Sequence, residues 1–259
     1  MKKAQVTSKI KKLNIQHEKE ASGYDQARAW NDVAPLTHES VKDISINWKE
    51  ATVLDVASGT GRVAEYFKNK ARLVIGVDIS ADMLGVAKSE KRLDLPVLAS
   101  GEKLPFLDNS FDLIYCRSAL HYMNQRVALA EWVRVTKNGG WIIVSDVSFE
   151  EDVVNRWYGR MLKVVLNEIT LVTHTSILKN LRQMGQNRTD YKIHMVRGSL
   201  NDVLKRKHTS VARQKKVKRM FRTAPQIVRG VLKIMPIDSD YEFDFGMTIT
   251  RCHVVKRGE

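Results

Sequence analysis

Short apolar runs alternate with amphipathic stretches between residues 51 and 148, which is typical of a parallel sheet with crossover helices. The apolar runs predict five strands, at Thr52–Val56, Leu73–Val77, Pro96–Ala99, Phe111–Cys116 and Trp141–Val147. The stretches between them carry apolar residues at spacings of three and four, which predicts helices over Arg62–Asn69, Ala81–Lys91 and Val127–Thr136. A helix stop is expected at Asn138-Gly139-Gly140, directly before the fifth strand. This order predicts a doubly wound, mostly parallel α/β sheet.

The segments on either side of this core also show helical and strand patterns. Upstream, Gln16–Trp30 and Val33–Val41 predict helices. Downstream, Glu151–Lys179 predicts two helical pieces, and alternation predicts strands over Tyr191–Val196 and Phe243–Val255. The chain is therefore expected to comprise an N-terminal helical cover (1–48), a sheet core (49–148), and a segment of covering helices and final strands (149–259).

Positive charge is concentrated in two segments, within a chain whose formal net charge is +14. Residues 203–233 contain eleven Lys and Arg and no Asp or Glu, and residues 1–22 are also basic. From Val217 to Val231 the apolar positions recur at helical spacing opposite the basic ones. With a break at Pro225, this pattern predicts an amphipathic basic helix pair. Such a face indicates an anionic substrate, a lipid surface or RNA, or else a solvated face that favours solubility.

Hydropathy and cysteine content limit the class of protein. No apolar run approaches the roughly 18 residues of a membrane-spanning helix, and the Lys-rich start lacks the apolar region of a secretory signal. We therefore expect a cytoplasmic protein. Cys116 and Cys252 lie in apolar, strand-like runs, which favours reduced buried thiols over a disulfide or a metal site.

The strongest chemical signal follows the first predicted strand, in the run Val53-Leu54-Asp55-Val56-Ala57-Ser58-Gly59-Thr60-Gly61-Arg62. Ser58, Gly59 and Gly61 allow close backbone approach of a ligand at a helix N-terminus, whose free N–H groups favour an anionic group. The G-x-G-x-x-G pattern of dinucleotide-binding units is not matched. Asp78, at the tip of the second predicted strand, can accept hydrogen bonds from both hydroxyls of a ribose. Together these residues indicate an adenosine-containing ligand.

Further motifs agree with these two in order and spacing over residues 50–146. They are Ser100-Gly101-Glu102-Lys103-Leu104-Pro105-Phe106 with Asp108-Asn109-Ser110-Phe111-Asp112, then Leu120-His121-Tyr122 and Arg134-Val135-Thr136-Lys137-Asn138-Gly139-Gly140. The set resembles class I S-adenosylmethionine-dependent methyltransferases, and specifically the ubiquinone/menaquinone methyltransferase subgroup. The resemblance implies a seven-stranded Rossmann-like methyltransferase sheet and S-adenosyl-L-methionine as the cofactor.

The resemblance also implies a cofactor-binding set around the first two strands. The Ala57–Gly61 loop would hold the methionine part of the cofactor, Asp78 would bind the ribose, and Asp55 belongs to the same motif. Ala57 stands where the family usually has its first glycine. A single methyl group there is a small perturbation, so we expect cofactor binding to survive.

The adenine end of the cofactor is assigned in the same way. Ile79 and Met83 would sandwich the adenine ring, with Gly101 and Glu102 at its edge. Ser100 stands where the family often has Asp or Asn. Because a serine hydroxyl can still accept a hydrogen bond, Ser100 stays in the set.

By the same analogy, an N-terminal helix would close over the cofactor. Its candidate contacts are Tyr24 and Arg28, and the planar guanidinium of Arg28 can pair with the methionine carboxylate. A surface Arg28 and a half-buried Tyr24 are the alternative.

Polar residues after the fourth and fifth strands are candidates for the acceptor side, since ligands bind at the carboxyl edge of open α/β sheets. Arg117 and Ser118 are cofactor-pocket candidates. His121, followed by Tyr122, is a candidate general base, or a residue that only packs the pocket. Asp146 is a candidate for orienting a cationic or hydroxyl-bearing acceptor, with a helix cap as the alternative.

We expect N- or O-methylation of a small-molecule or peptidic natural-product acceptor. Cys116-Arg117-Ser118-Ala119 stands where a D/N-P-P-Y-type segment would favour methylation of base or amide nitrogens. One alternative is methylation of a quinone or lipid precursor, with 203–233 in peripheral contact with a membrane surface. RNA binding or methylation is another, but Phe221 is the single aromatic residue in the basic segment, so nucleic acid is not expected. The last alternative is a scaffold protein that binds the cofactor without catalysing a reaction.

Overall fold

The structure, a computed structural model, describes residues 33–166, 171–206 and 209–256. Its helices are α1 (Val33–Val41), α2 (Arg62–Lys68), α3 (Ala81–Ser89), α4 (Gln125–Val135), α5 (Asp152–Leu166), α6 (His174–Gln183), α7 (Leu200–Arg206), α8 (Val211–Arg222) and α9 (Gln226–Val231). Its strands are β1 (Thr52–Val56), β2 (Leu73–Asp78), β3 (Leu95–Leu98), β4 (Phe111–Arg117), β5 (Thr136–Val147), β6 (Thr189–Ser199), β7 (Met235–Ile237) and β8 (Asp240–His253). A 3-10 turn covers Leu120–Tyr122.

The strands form one sheet in the order β3-β2-β1-β4-β5-β8-β6, and the short β7 pairs antiparallel with β8. Strand β1 is parallel to β2 and β4, and β2 is parallel to β3. Two hydrogen bonds join the β5 region to β8 and the residue after it. The Gly139 N–H donates to the Val254 oxygen, and the Ser148 N–H donates to the Gly246 oxygen. These pairs run in opposite directions along the sequence, so β8 is antiparallel to β5. The predicted Rossmann-like, mostly parallel α/β sheet is confirmed, with β7 as an additional short strand.

The described chain forms two compact units, and strands β5, β6 and β8 contribute residues to both. The described part of the first unit is 33–144, 180–190 and 251–256. That of the second is 145–166, 171–179, 191–206 and 209–250. The predicted domain boundaries at residues 48 and 148 stay a prediction.

The core of the first unit forms around β1, which is buried along its whole length. A strand covered by helices on both faces needs a continuous apolar run, which Val53, Leu54 and Val56 supply. The Ser40 hydroxyl of α1 lies 2.9 Å from the Tyr115 hydroxyl of β4. This hydrogen bond satisfies two buried polar groups and ties the first described helix to the sheet.

Arg134 of α4 anchors the connection between β3 and β4. Its guanidinium donates to the main-chain oxygens of Leu104 and Phe106 and to the carboxylates of Glu131 and Asp108. Glu131 in turn accepts from the Leu104 N–H at 2.8 Å. The guanidinium thus uses its forked donors to hold an irregular segment in one conformation.

The second unit buries the apolar side of its basic helix pair. Phe221 of α8 is fully buried, with ring centroids 5.3 Å from Trp157 and 5.1 Å from Phe243. Helix α8 ends at Arg222 and α9 begins at Gln226, and Pro225 is the residue directly before α9. The predicted amphipathic basic helix pair is therefore confirmed.

Most element boundaries agree with the sequence patterns. The prediction that a helix ends at Asn138-Gly139-Gly140 was wrong. Helix α4 ends at Val135 and β5 begins at Thr136, so the two glycines lie inside a strand. The cause is pairing with a distant segment, because Val254 accepts from the Gly139 N–H at 2.9 Å and donates to the Gly140 oxygen at 2.8 Å.

Other departures are smaller. Helix α7 and strand β7 had no counterpart among the predicted elements, and α6 continues to Gln183. Strands β6 and β8 are longer than predicted at their N-terminal ends. The predicted helix Gln16–Trp30 lies outside the described residues.

Cys116 and Cys252 are both buried, as the apolar runs around them predicted. Burial raises the pKa of the Cys252 thiol to about 12, so it stays protonated at neutral pH. None of the helices in the described ranges is long and apolar enough to cross a membrane.

We predict that Phe221→Ala lowers the free energy of unfolding by about 3–5 kcal/mol, because it removes a buried ring from an aromatic cluster. Ile227→Ala is the matched control, since Ile227 is about half exposed in the neighbouring helix. We expect it to change stability by less than about 0.5 kcal/mol. Urea denaturation followed by tryptophan fluorescence measures both, and equal effects would contradict the packing described.

Candidate active site

The loop between β1 and α2 contains three residues in the left-handed backbone region. They are Ala57 at φ 56°, Gly59 at φ 54° and Gly61 at φ 80°. A left-handed conformation costs an L-residue about 1–2 kcal/mol, so Ala57 holds local strain that the two glycines avoid. The Gly61 N–H donates to the Ser58 oxygen at 2.9 Å, which closes the loop into a tight turn directly before α2.

The Asp55 carboxyl of β1 closes the first turn of α2 from below the loop. Gly61, the residue before the helix, offers no side-chain cap, and Asp55 Oδ2 instead accepts from the Ala64 N–H at 3.1 Å. Burial raises the pKa of Asp55 to about 8. The nearby negative charge of Asp78 adds to the rise, whereas the Ala64 hydrogen bond and the positive charge of Arg117 oppose it. The carboxyl is therefore mostly protonated at neutral pH, and its assignment to the cofactor-binding set stays a prediction.

The Asp78 carboxylate at the end of β2 bridges two turns. Oδ2 accepts from the Gly59 N–H at 2.9 Å, and Oδ1 accepts from the Ser80 N–H at 2.9 Å. Ser80 then begins α3, where its hydroxyl accepts from the Met83 N–H. A carboxylate oxygen can accept more than one hydrogen bond, so this half-exposed group suits a ligand that presents a pair of hydroxyls.

Close packing between the loop and β2 depends on Gly76. A Cβ at this position would lie 2.4 Å from Leu93 Cδ2 and 2.8 Å from Ser58 Oγ. The Ser58 hydroxyl is itself buried and has no hydrogen-bond partner in the described part of the chain. A buried hydroxyl without a protein partner is suited to a polar ligand atom.

A second close approach lies at Gly101, in the connection after β3. A Cβ there would lie 2.7 Å from Val56 Cγ1 and 3.0 Å from Met123 Cε. The Gly101 oxygen accepts from Trp132 Nε1 at 2.8 Å. This backbone is thus pressed against the end of β1, close to where the loop begins.

Ser100 and Glu102 shape the same connection. The Ser100 hydroxyl accepts from the Glu102 N–H at 3.2 Å, and the Glu102 carboxylate accepts from the main-chain N–H of Asn124. Ser100 thus accepts a hydrogen bond within its own turn, and its assignment to the cofactor-binding set stays a prediction.

These features fit S-adenosylmethionine: a tight loop at a helix start, a carboxylate beside it, and a buried Ser58 hydroxyl without a partner among the described residues. A family model described as a methyltransferase domain matches residues 54–144. The chain is 33% identical over 165 residues to the ubiquinone/menaquinone biosynthesis C-methyltransferase UbiE of Burkholderia ambifaria, covering 59% of this chain and 67% of that protein. The chain belongs to the class I S-adenosylmethionine-dependent methyltransferases. Its cofactor is S-adenosylmethionine.

Two other comparisons define the extent of the similarity. A malonyl-[acyl-carrier protein] O-methyltransferase of Hamiltonella defensa is 28% identical to this methyltransferase over 193 residues, covering 64% of this chain and 73% of that one. The YcgJ structure of Bacillus subtilis superposes with a TM-score of 0.73 at 23% identity, covering 87% and 98% of the two chains, which shows the fold. Demethylmenaquinone methyltransferases align over only 41% and 49% of their own length.

Arg117 is the last residue of β4, and Ser118, His121 and Tyr122 follow the strand, as the sequence predicted. Arg117 is half-buried and its charge acts on Asp55, while Ser118 is exposed with φ 51°. His121 and Tyr122 lie in the 3-10 turn, both half-buried, with ring centroids 4.1 Å apart. Ordered polar rings just past a strand end could contact an acceptor, and their assignment as catalytic residues stays a prediction.

Of the two residues assigned to the adenine, Met83 is buried in the first turn of α3 and Ile79 is half-buried directly after Asp78. Both follow the bridging carboxylate, so the structure brings them to the end of β2 that carries the ribose candidate. Tyr24 and Arg28 lie outside the described residues.

Asp146 belongs to the second unit, near the end of β5. It is buried, and its Oδ1 accepts from the N–H of Val147 at 2.8 Å. Both roles considered for Asp146, orienting an acceptor and capping a helix, stay predictions.

Sequence reasoning missed a polar pair that follows Asp146. The Ser148 hydroxyl lies 2.9 Å from His174 Nδ1, and both side chains are buried. Burial lowers the pKa of His174, so the ring is neutral at pH 7. Only pairing across 26 residues reveals this contact, and no local spacing signals it.

Within the described ranges, no group of three or more His, Cys, Asp or Glu side chains could hold a metal ion. The candidate site residues offer backbone groups, carboxylates and aromatic rings. This set is suited to holding and orienting organic ligands.

We predict that Asp55 makes the protein less stable as pH rises between about 4 and 8. The folded state keeps the proton to a pKa of about 8, whereas an unfolded aspartate loses it near 4, so the penalty grows by about 1.4 kcal/mol per pH unit across this window. In Asp55→Asn this slope should disappear. Urea unfolding of both proteins at pH 5, 6, 7 and 8 tests it, and parallel pH profiles would contradict the raised pKa.

We also predict that Asp78→Ala weakens cofactor binding by about 1–3 kcal/mol, because the ribose hydroxyls lose a charged acceptor. Asp82→Ala is the matched control, since it removes an exposed carboxylate from the first turn of α3. Isothermal titration calorimetry with S-adenosylmethionine should show the loss only in the first variant. Unchanged affinity in Asp78→Ala would remove this carboxylate from the site.

Proposed function

We propose that this methyltransferase methylates a nitrogen or oxygen atom of a small-molecule or peptidic natural-product acceptor in the cytoplasm. The observation that carries the proposal is the residue set at the end of β4. There Cys116-Arg117-Ser118-Ala119 leads into a turn with the half-buried rings of His121 and Tyr122. This arrangement offers a proton acceptor and a hydroxyl, and it lacks the segment associated with base and amide nitrogens.

The bound cofactor supplies an electrophilic methyl group on a positively charged sulfur. The chain's own residues bind and orient. The Ala57–Gly61 loop would hold the methionine part of the cofactor, and Asp78 would hold the ribose. Gly101 and Glu102 would lie at the edge of the adenine, close to the end of β1. Alignment of acceptor and methyl donor accounts for much of the rate of such a displacement.

His121 is proposed as the proton acceptor for the attacking nitrogen or hydroxyl. A neutral imidazole can take a proton at physiological pH, which a carboxylate does less well. Tyr122, 4.1 Å away between ring centroids, is proposed to orient the acceptor through its hydroxyl. Asp146 keeps its proposed role of orienting a cationic or hydroxyl-bearing group on the acceptor.

A second candidate function is methylation of a quinone or lipid precursor. It is favoured by the similarity to the ubiquinone/menaquinone C-methyltransferase, which covers 67% of that relative. The similarity to a malonyl-[acyl-carrier protein] O-methyltransferase instead favours O-methylation of a malonyl group on a carrier protein. These two names differ in the atom that is methylated, so the identity of the labelled product decides between them.

The test is incubation of the purified protein with cell extract and methyl-labelled S-adenosylmethionine, followed by separation into aqueous, lipid-extractable, protein and RNA fractions. We expect the label in an aqueous small molecule or peptide that gains the mass of one methyl group. In His121→Asn, product formation should fall about a hundredfold or more with cofactor affinity unchanged. Label in the lipid-extractable fraction would favour the second candidate, and label in RNA would overturn both.

A further inference from the structure

Four basic side chains lie together on the outer side of α8. They are Lys215, Lys216, Arg219 and Arg222, all exposed, and we call them the basic ridge. Their spacing of three, four and seven residues places them on one face of the helix. The opposite side of the helix is turned inward, where Val217 and Phe221 are fully buried.

The charge of the basic ridge is not balanced by neighbouring acids. Helix α8 contains no Asp or Glu, and none of the four side chains forms an ion pair with another described residue. Neighbouring basic groups are different: Lys233 pairs with Asp244, and Lys218 donates to the main-chain oxygen of Ser239. From Lys215 to Arg222 the helix rises only about 10 Å, so the four charges form one compact positive surface.

Exposed aliphatic side chains accompany the ridge. Val211, at the start of α8, is 68% exposed, and Met235 and Ile237 of β7 are 48% and 42% exposed. The bond from Lys218 to Ser239 places the turn between β7 and β8 beside α8. The surface around the ridge is therefore cationic and aliphatic.

The kind of exposed apolar group separates two classes of polyanion. Single-stranded nucleic acids gain much of their binding energy by stacking bases on exposed aromatic rings. Of the rings around α8, Trp157, Phe221 and Phe243 are buried and Tyr241, with its ring centroid 5.5 Å from that of Phe221, is half-buried, so no fully exposed ring is among them. A lipid surface needs no such rings, because cationic side chains contact headgroups and aliphatic ones enter the interface.

We propose that the basic ridge docks this protein on an anionic phospholipid surface. The contact is peripheral, because the apolar face of α8 is committed to the protein core and the described helices include no membrane-spanning one. Attraction to anionic headgroups contributes the equivalent of about fivefold in affinity for each Lys or Arg near the surface. The proposal holds for either acceptor class, since docking and methyl transfer use different residues.

The test is cosedimentation of the full chain with vesicles of phosphatidylcholine alone or with about 30% phosphatidylserine. We expect the protein to bind the anionic vesicles only. Binding should be lost as salt rises from 0.1 to 0.5 M, because the Debye length falls from about 10 Å and the charges are screened. Lys215→Gln with Arg219→Gln should weaken binding about 25-fold. Calorimetric affinity for S-adenosylmethionine should stay unchanged in this variant, which shows that it is folded.

The matched control is Lys49→Gln with Lys88→Gln, two exposed lysines of the first unit that give the same change in net charge. This control should bind anionic vesicles like the unaltered protein. Equal weakening in both double variants, or no binding to anionic vesicles, would overturn the proposal. Ridge-dependent binding to poly(U) that is tighter than vesicle binding at the same salt would overturn it in favour of nucleic acid. Loss of methyl transfer with vesicle binding intact would count against the proposed function alone.

Discussion

The bridge made by the Asp78 carboxylate is the interaction on which the rest of the site depends. It accepts from Gly59 in the loop after β1 and from Ser80 at the start of α3. Two turns that are separate in sequence are thereby held by one side chain at the ends of adjacent parallel strands. Hydrogen bonds to an ionised acceptor are stronger than neutral ones, so this bridge orders both turns before any ligand arrives.

The second constraint is a neutral acid beneath the same loop. Asp55 caps the first turn of α2 from a neighbouring strand because Gly61, which the turn requires at φ 80°, has no side chain to do so. Burial keeps the proton on Asp55, while Asp78 is half-exposed at the strand end. The two carboxyl groups that contact this loop and its helix therefore lie in different environments, Asp55 buried and Asp78 partly open to solvent.

The second unit separates apolar and charged groups across one helix. Phe221 and Val217 complete an aromatic core, and the same helix presents the basic ridge to solvent. Part of the chain's high net charge therefore lies on one helix. This helix is short, contains no Asp or Glu, and buries its apolar side, so its basic side chains are exposed on the same face. This exposed surface is rich in Lys and Arg and differs in composition from the cofactor loop.

Local patterns determined much of this protein. The buried run Thr52–Val56 gave a strand with the expected ends, and the order of motifs identified the cofactor through the loop and Asp78. The break at Pro225 was also visible, because proline acts on the backbone next to it. In each case the signal lies within a few neighbouring residues, where hydrophobic periodicity and backbone preference act directly.

Tertiary structure decided what depends on distant partners. Gly139 and Gly140 resemble a helix stop, but pairing with Val254 makes them part of β5. The short strand β7 exists through its pairing with β8, the need for Gly76 comes from Leu93 and Ser58, and the buried Ser148–His174 contact joins two elements. None of these partners is specified by local spacing, because burial and hydrogen bonding between remote segments are set only when the chain folds.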